Sequence, residues 1–584
     1  RAGSLFGTEA LLHLIADKAA EDAFRYITPK QAADGDLPPN SVNGLWPVVL
    51  AGSEPSEVME IEPLEANDYP LIGEPFSDAS RAIKVKIKDH CLMDKIEQAL
   101  DQSQAIVTHF MKELAKEEAH ENFRSLYRLR PAYIREVRQT RLGVDPARSR
   151  QDMEWLQRLP KADLHCHLGG VLDSAGLVRV ARAALTEADQ ETLAHLERTV
   201  DSKYEFLFDA VSERVESKKE FKNTLIEIAE ETGLTAHLLL AAFISWFSGR
   251  LEELDRLVFG PYLDESKYIG LKIKSYERLG DIQGSALLQS RAAIAEACRV
   301  LYEQACRDNV RYLEVRCSPK NYTAGGLDFG EVVKTIKQAF GQEMEHSKNL
   351  GLKPCQVGLI LIATRHKTEE EIKEHICYGI QETSSDLGEY PIRVVGFDLA
   401  GDEATKRPEE LRDCFMPVFE NCLHVTIHAG ETEPVTSIWE AVYHLSADRV
   451  GHGLKLADDP RLLSRIRDRG ITVELCPSSN FQIVGFKDSW LDQTHDLPLY
   501  PLRQYLSEGL EVCLNTDNPG ISRTSLSQEY LKAARMTEGG LSKWEILSLV
   551  KLGFKNAFIP RNELSDLLKE VDAEVFQILA GQPA

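Results

Sequence analysis

Apolar positions along this chain follow two rhythms. Eight short runs rich in β-branched and aliphatic residues recur through the last three quarters. They are Ala162–His167 (ADLHCH), Arg311–Arg316 (RYLEVR), Gln356–Ala363 (QVGLILIA), Arg393–Asp398 (RVVGFD), His424–His428 (HVTIH), Arg449–Gly453 (RVGHG), Ile471–Cys476 (ITVELC) and Glu511–Asp517 (EVCLNTD). Most are separated by stretches with helical spacing of apolar residues. Eight strands alternating with helices predict an α/β fold, a (β/α)8 TIM barrel, whose reactive groups gather where the strands finish. His165, His167, His428, His452 and Asp517 all fall at such ends.

Two regions do not belong to that alternation. Residues 1–155 precede the first strand. Asp34–Pro75 is rich in Pro, Gly, Asp and Glu and reads as loop. From Asp89 to Arg141 the spacing turns helical, with Leu92, Ile96, Leu100, Ile106, Phe110 and Leu114 on one side. We expect 1–155 to be a mainly helical N-terminal extension that supplies an oligomerisation or partner surface. Residues 156–584 then form the barrel, with a helical insertion at about 171–290 between strands one and two. The gap Gly170–Val310 is far longer than a parallel crossover requires. Its basic stretch, Lys218, Lys219 and Lys222, reads as a solvated helix face or as a cap over the barrel mouth.

Composition narrows the class. At 584 residues the chain exceeds one ordinary domain, and 43% hydrophobic residues suffice for a sizeable core. A formal charge of −24 argues against a general nucleic-acid binder, which needs a broad basic face. The 11 cysteines form no CxxC pair. They read as free thiols in a reducing compartment, so a cytoplasmic location is expected. The longest apolar run, Leu234–Phe247, is too short to span a bilayer, and no membrane association is expected. The chain opens at Arg1 rather than Met, so an N-terminal piece is expected to precede it.

The strand ends carry the chemistry. Side chains alternate along a strand, so His165 and His167 share one face while Cys166 points away. His428 ends another strand, and Ala429-Gly430 lets the chain turn and bring Glu431 over the mouth. Asp517 ends the last strand. Three imidazoles and a carboxylate suit Zn²⁺ and leave a position open for water. Zinc lowers the pKa of such a water to about 7, which gives hydroxide at neutral pH. Glu431 and His452 are then left as proton carriers. A binuclear site would want a bridging lysine from a middle strand, and the fourth strand ends FDLAGDE without one. One zinc per chain is expected.

On these residues the chain resembles the adenosine deaminase family, a branch of the metal-dependent amidohydrolases. LPKADLHCHLGG, YLEVRCSP, VVGFDLAGDE, HAGE, RVGHG, ELCPSSN and LNTDNP stand in the family's order from about Leu159 onward. The resemblance implies zinc on His165, His167, His428 and Asp517. It implies that Glu431 protonates the purine N1 and that His452 orients the hydroxide attacking C6. The backbone N–H of Gly401 would face N3, and Asn518 would face N7. The family's nucleoside enzymes carry Asp where this chain has Gly169, against the ribose 5′-hydroxyl. Its loss removes repulsion against a 5′-phosphate, so the expected substrate extends from adenosine to ATP or dATP. Lys218, Lys219, Lys222, Lys272, Lys274 and Arg365 are candidates for the balancing charge.

The extension and enlarged crossover also resemble in layout the deaminase subunits of bacterial RADAR anti-phage systems. That implies a homo-oligomeric assembly, an ATPase partner and a role in antiviral defence. Two other readings stand beside the deaminase: an amidohydrolase acting on a different amino-heterocycle, and a scaffold-type assembly protein. The zinc cytidine-type deaminases are excluded, because their P-C-x-x-C ligand pair is missing.

Overall fold

The computed structural model describes residues 122–584 apart from 130, 216–220, 385–391, 492–495 and 582–584, together with four short strands within residues 24–87. The chain divides into two compact units, 1–118 with 124–136 and 119–123 with 137–584. In the first, Phe24–Tyr26 pairs antiparallel with Val48–Leu50, and Val58–Pro63 pairs antiparallel with Ile83–Ile87. Most of the helical run expected at Asp89–Arg141 lies outside the described residues. Its described part holds a 3₁₀ turn, Arg124–Arg128, and a helix, Pro131–Gln139.

The second unit is built on eight parallel strands: β1 (Lys161–His167), β2 (Val310–Cys317), β3 (Gln356–Thr364), β4 (Arg393–Ala400), β5 (His424–Ala429), β6 (Arg449–His452), β7 (Thr472–Leu475) and β8 (Val512–Leu514). Each pairs with its sequence neighbours in unbroken order. The ring closes between β8 and β1. There the Asp517 N–H donates to His165 O at 2.7 Å, and the His167 N–H donates to Asp517 O at 2.7 Å. The architecture is a (β/α)8 barrel. Its strands are covered on both faces, so they read as near-continuous apolar runs such as β3, QVGLILIAT.

The β1–β2 crossover carries six helices before the barrel helix Arg291–Arg307. They are Ser174–Leu185, Gln190–Ser212, Phe221–Thr232, Ala236–Ser245, Leu251–Phe259 and Ile273–Leu279. The apolar run of Leu234–Phe247 forms Ala236–Ser245, which buries Leu239, Leu240, Ala241, Phe243 and Ile244. No helix among the described residues is long and apolar enough to cross a membrane. Several helices start at side-chain caps. The Asp173 carboxylate accepts from the Gly176 N–H, and Asp328 with Glu331 and Ser542 with Glu545 form capping boxes.

Candidate active site

The barrel's closing hydrogen bonds set His165, His167 and Asp517 side by side. Alternation along β1 turns both histidines to one face. Asp517 sits just past β8 in a left-handed conformation at φ 58°, and His452 ends β6 at φ 61°. Such backbones are costly for residues with a Cβ and persist where the surroundings hold them. His428, on β5, completes the group.

The Nε2 atoms of His165 and His167 stand 3.2 Å apart, as do those of His167 and His428. Asp517 Oδ1 lies 3.4 Å from His167 Nε2 and 3.7 Å from His165 Nε2. Two of these rings are held from behind. His165 Nδ1 is 2.8 Å from Glu474 Oε2, and His428 Nδ1 is 3.0 Å from Asp398 Oδ1. A ring that donates Nδ1–H to a carboxylate presents a bare Nε2. Bare nitrogens and a carboxylate oxygen at this separation repel unless a cation lies among them. Four donors on a tetrahedron of zinc–ligand radius about 2.0–2.1 Å stand about 3.3–3.4 Å apart, and the four spacings given above are near that size, so the donor set suits the ion. Burial, with Arg316 and neighbouring rings, holds the His165 and His167 pKa values well below the ordinary value, which keeps imidazoles neutral for a metal.

One guanidinium binds the two orienting carboxylates. Arg316, fully buried on β2, donates to Asp398 Oδ2 at 3.0 Å and to Glu474 Oε2 at 2.9 Å. It also donates to Leu164 O at 2.6 Å. Glu474 Oε1 further accepts from the Thr426 hydroxyl at 2.9 Å.

Glu431 and His452 flank the group. The Glu403 carboxylate accepts from three successive N–H groups, Gly430 and Glu431 at 2.8 Å each and Thr432 at 3.2 Å, and so fixes the turn that carries Glu431. Burial, then the nearby Asp517 charge, pushes the Glu431 carboxyl well above its usual range. Its buried Oε1 has no hydrogen-bond partner in the protein and lies 3.5 Å from His452 Nδ1. The same His452 nitrogen meets Asn480 Nδ2 at 3.0 Å.

A cavity of about 410 Å³ opens above these groups. His167, His428, Glu431, His452, Asp517, Asn518, Gly169 and Gly401 all line it. His165 lies beneath, fully buried. Asn518 Nδ2 donates to Asp517 Oδ1 at 2.7 Å, and a Cβ at Gly170 would lie 2.1 Å from Asn518 Oδ1. A glycine is therefore required for the turn after β1, Leu168–Gly170, to pass that close. At Gly169 a Cβ would stand 3.2 Å from the Tyr322 hydroxyl. The crossover supplies the opposite wall, with Lys222, Tyr276, Glu277 and Ser285.

Of the candidate cations, Lys222 lines the cavity and donates to Ser285 Oγ. Arg365 is buried, donates to the carbonyls of Lys406 and His428, and does not line the cavity. Lys272 and Lys274 do not line the cavity, and Lys274 lies 3.8 Å from Asp402. Lys218 and Lys219 fall outside the described residues. Arg316, Asp398, Glu474, Glu403 and Asn480 escaped sequence reasoning although all lie inside the motifs quoted above or beside them. Their signal was a charged or amide residue within an otherwise apolar strand or directly after one.

A family model described as adenosine deaminase matches residues 270–574. The chain is 32% identical over 287 residues to the adenosine deaminase of Enterococcus faecalis, covering 49% of this chain and 77% of that one. It is 32% identical over 368 residues to adenosine deaminase 1 of Streptomyces coelicolor, covering 60% and 84%. Among solved structures, an adenine deaminase from Arthrobacter aurescens aligns with TM-score 0.48 at 20% identity, over 71% of this chain and 99% of that one. With the family model spanning more than half of the 584 residues and most of each relative covered, the chain belongs to the adenosine deaminase family of metal-dependent amidohydrolases, hydrolases that deaminate adenosine-type substrates.

Proposed function

We propose that this protein is a zinc-dependent deaminase of adenine nucleosides and nucleotides, with one ion per chain held by His165, His167, His428 and Asp517. Four contacts carry the reading: His165 to His167 and His167 to His428 at 3.2 Å, and Asp517 Oδ1 to His167 at 3.4 Å and to His165 at 3.7 Å. The ion, when bound, supplies Lewis-acid activation of the attacking water.

The chain's own residues do the rest. Glu431 enters protonated, since burial raises its pKa, and gives its proton to the purine N1 as oxygen adds to C6. The unpartnered Oε1 of Glu431 is the atom available for that contact. His452 stands against the attacking oxygen. Asn518 and the Gly401 backbone N–H address N7 and N3. The added oxygen gives up its two protons, one returning to Glu431 and one reaching the amino group; the C6–N bond breaks, ammonia leaves, and the ring keeps a carbonyl at C6 with hydrogen on N1.

A 5′-phosphorylated substrate is favoured by the missing side chain at Gly169 and by Lys222 on the same cavity. Glu277, on that wall, has its carboxyl raised to about 7 by burial and by Asp402 and Asp281, which lessens the negative charge a phosphate would meet. Rates on adenosine, AMP, ATP and dATP, measured with zinc content by elemental analysis, test both parts. We expect about one zinc per chain and ammonia release, fastest from a nucleotide. Strong preference for adenosine removes the nucleotide reading, and release without bound metal removes the zinc reading.

A further inference from the structure

The two proton carriers are not equivalent, and the difference is set by a residue outside the ligand group. Asn480 is fully buried in the short helix Pro477–Ile483 that follows β7. Its Oδ1 accepts from the Cys476 backbone N–H at 3.2 Å and from the Tyr500 hydroxyl at 2.9 Å. A backbone N–H can only donate, so the amide oxygen must face Cys476. The amide nitrogen must then face His452, 3.0 Å from Nδ1. An NH₂ group donates and cannot accept. His452 Nδ1 is therefore the acceptor and carries no hydrogen. The ring hydrogen therefore sits on Nε2.

We infer that Asn480 is a positioning residue that fixes His452 as an Nε2–H donor, so that the ring steadies the attacking oxygen and takes no proton from it. This rests on the deaminase reading for what the donor does, but not for the tautomer itself. An Nε2–H has no lone pair to accept a proton from water. The proton traffic then falls to Glu431, while His452 acts as a fixed dipole aimed at charge that develops during attack. Glu431 Oε1, 3.5 Å from His452 Nδ1, is too far to replace the Asn480 contact.

The tautomer is readable without turnover. Long-range ¹H–¹⁵N spectra of histidine-labelled protein, assigned by comparison with His452→Gln, should show Nε2 protonated and Nδ1 bare in both metal-free and zinc-loaded protein. An Nδ1–H pattern or an imidazolium pattern overturns the inference. In Asn480→Leu the single-tautomer pattern should be lost. Its kcat should fall about 10²-fold, within the range for losing one preorganised donor. KM and zinc content should move less than about twofold, since binding and metal retention use other residues. A variant that keeps the wild-type kcat overturns the inference as well. Wild-type protein with no deaminase activity would sink the proposed reaction, while the spectra would still decide the tautomer.

Discussion

Glu431 is the residue on which the proposed chemistry turns most directly. Its backbone is pinned by Glu403 and its Oε1 is left without a partner. That is the arrangement expected of a group that waits for a substrate atom rather than one that supports the fold. Glu431→Gln keeps shape and hydrogen bonding but cannot deliver a proton. We expect kcat to fall about 10²–10⁴-fold with zinc content unchanged, checked by elemental analysis beside steady-state rates. Residues like Glu431 were legible in the sequence because strand ends concentrate them and because small neighbours such as Gly430 mark the turn. Asn480 and Arg316 were not. Alternation gives the face of a strand residue such as Arg316, but which partner it or Asn480 meets depends on how eight strands close, and that information is distributed from Lys161 to Leu514.

Helices of the first crossover line part of the cavity. They bring Lys222, Tyr276, Glu277 and Ser285 to the cavity that the barrel ends open. Their helical character was legible from spacing, and a cap over the mouth was one of two readings of the basic stretch; no local pattern could choose between them. Lys222→Ala should raise KM for AMP or ATP about tenfold or more, the cost of losing one charged hydrogen bond, and leave adenosine nearly unchanged. Equal effects on all three would assign Lys222 to structure. A second element-scale test concerns Glu529, on the helix Leu526–Met536. It is fully buried and accepts from the Ser478 N–H at 2.8 Å and the Thr524 hydroxyl at 2.6 Å, tying three segments together. Burial raises its carboxyl to about 7 from an ordinary 4.5. A raised carboxyl binds its proton in the folded state where the unfolded chain has lost it. Its stabilising share is complete below about pH 4.5 and fades as pH rises through 7. The difference amounts to about 3 kcal/mol at 1.36 kcal/mol per unit. Glu529→Gln lacks this titration. Denaturant unfolding of both proteins at pH 5 and pH 8 should therefore show the variant gaining on the wild type at the higher pH.

Across the whole barrel, the proposed zinc ligands are tied to one buried cation, Arg316. Arg316 reaches from β2 to a β1 carbonyl, to Asp398 on β4 and to Glu474 on β7. Through those two carboxylates it orients a histidine of β1 and a histidine of β5. Burial alone would raise the Asp398 carboxyl, yet His428 and Arg316 outweigh it and hold it well below the usual range. Asp398 is thus held as a carboxylate against Arg316. Removing one member leaves the others buried and unpaired, a change that costs about 3–5 kcal/mol for a buried ion pair. Arg316→Met should lower stability by that order. Asp398→Asn and Glu474→Gln, which keep the volume and one hydrogen bond, should each weaken zinc binding about 10–100-fold, as expected when a ligand's orienting partner is lost. Arg316→Lys keeps the charge but cannot fork to two carboxylates, so its zinc affinity should fall at least as far as in either single variant. Chelator competition on folded protein measures these constants directly. If Arg316→Lys bound zinc as tightly as the wild type, the two carboxylates would be orienting their histidines independently, and the axis of the barrel would be a product of packing alone.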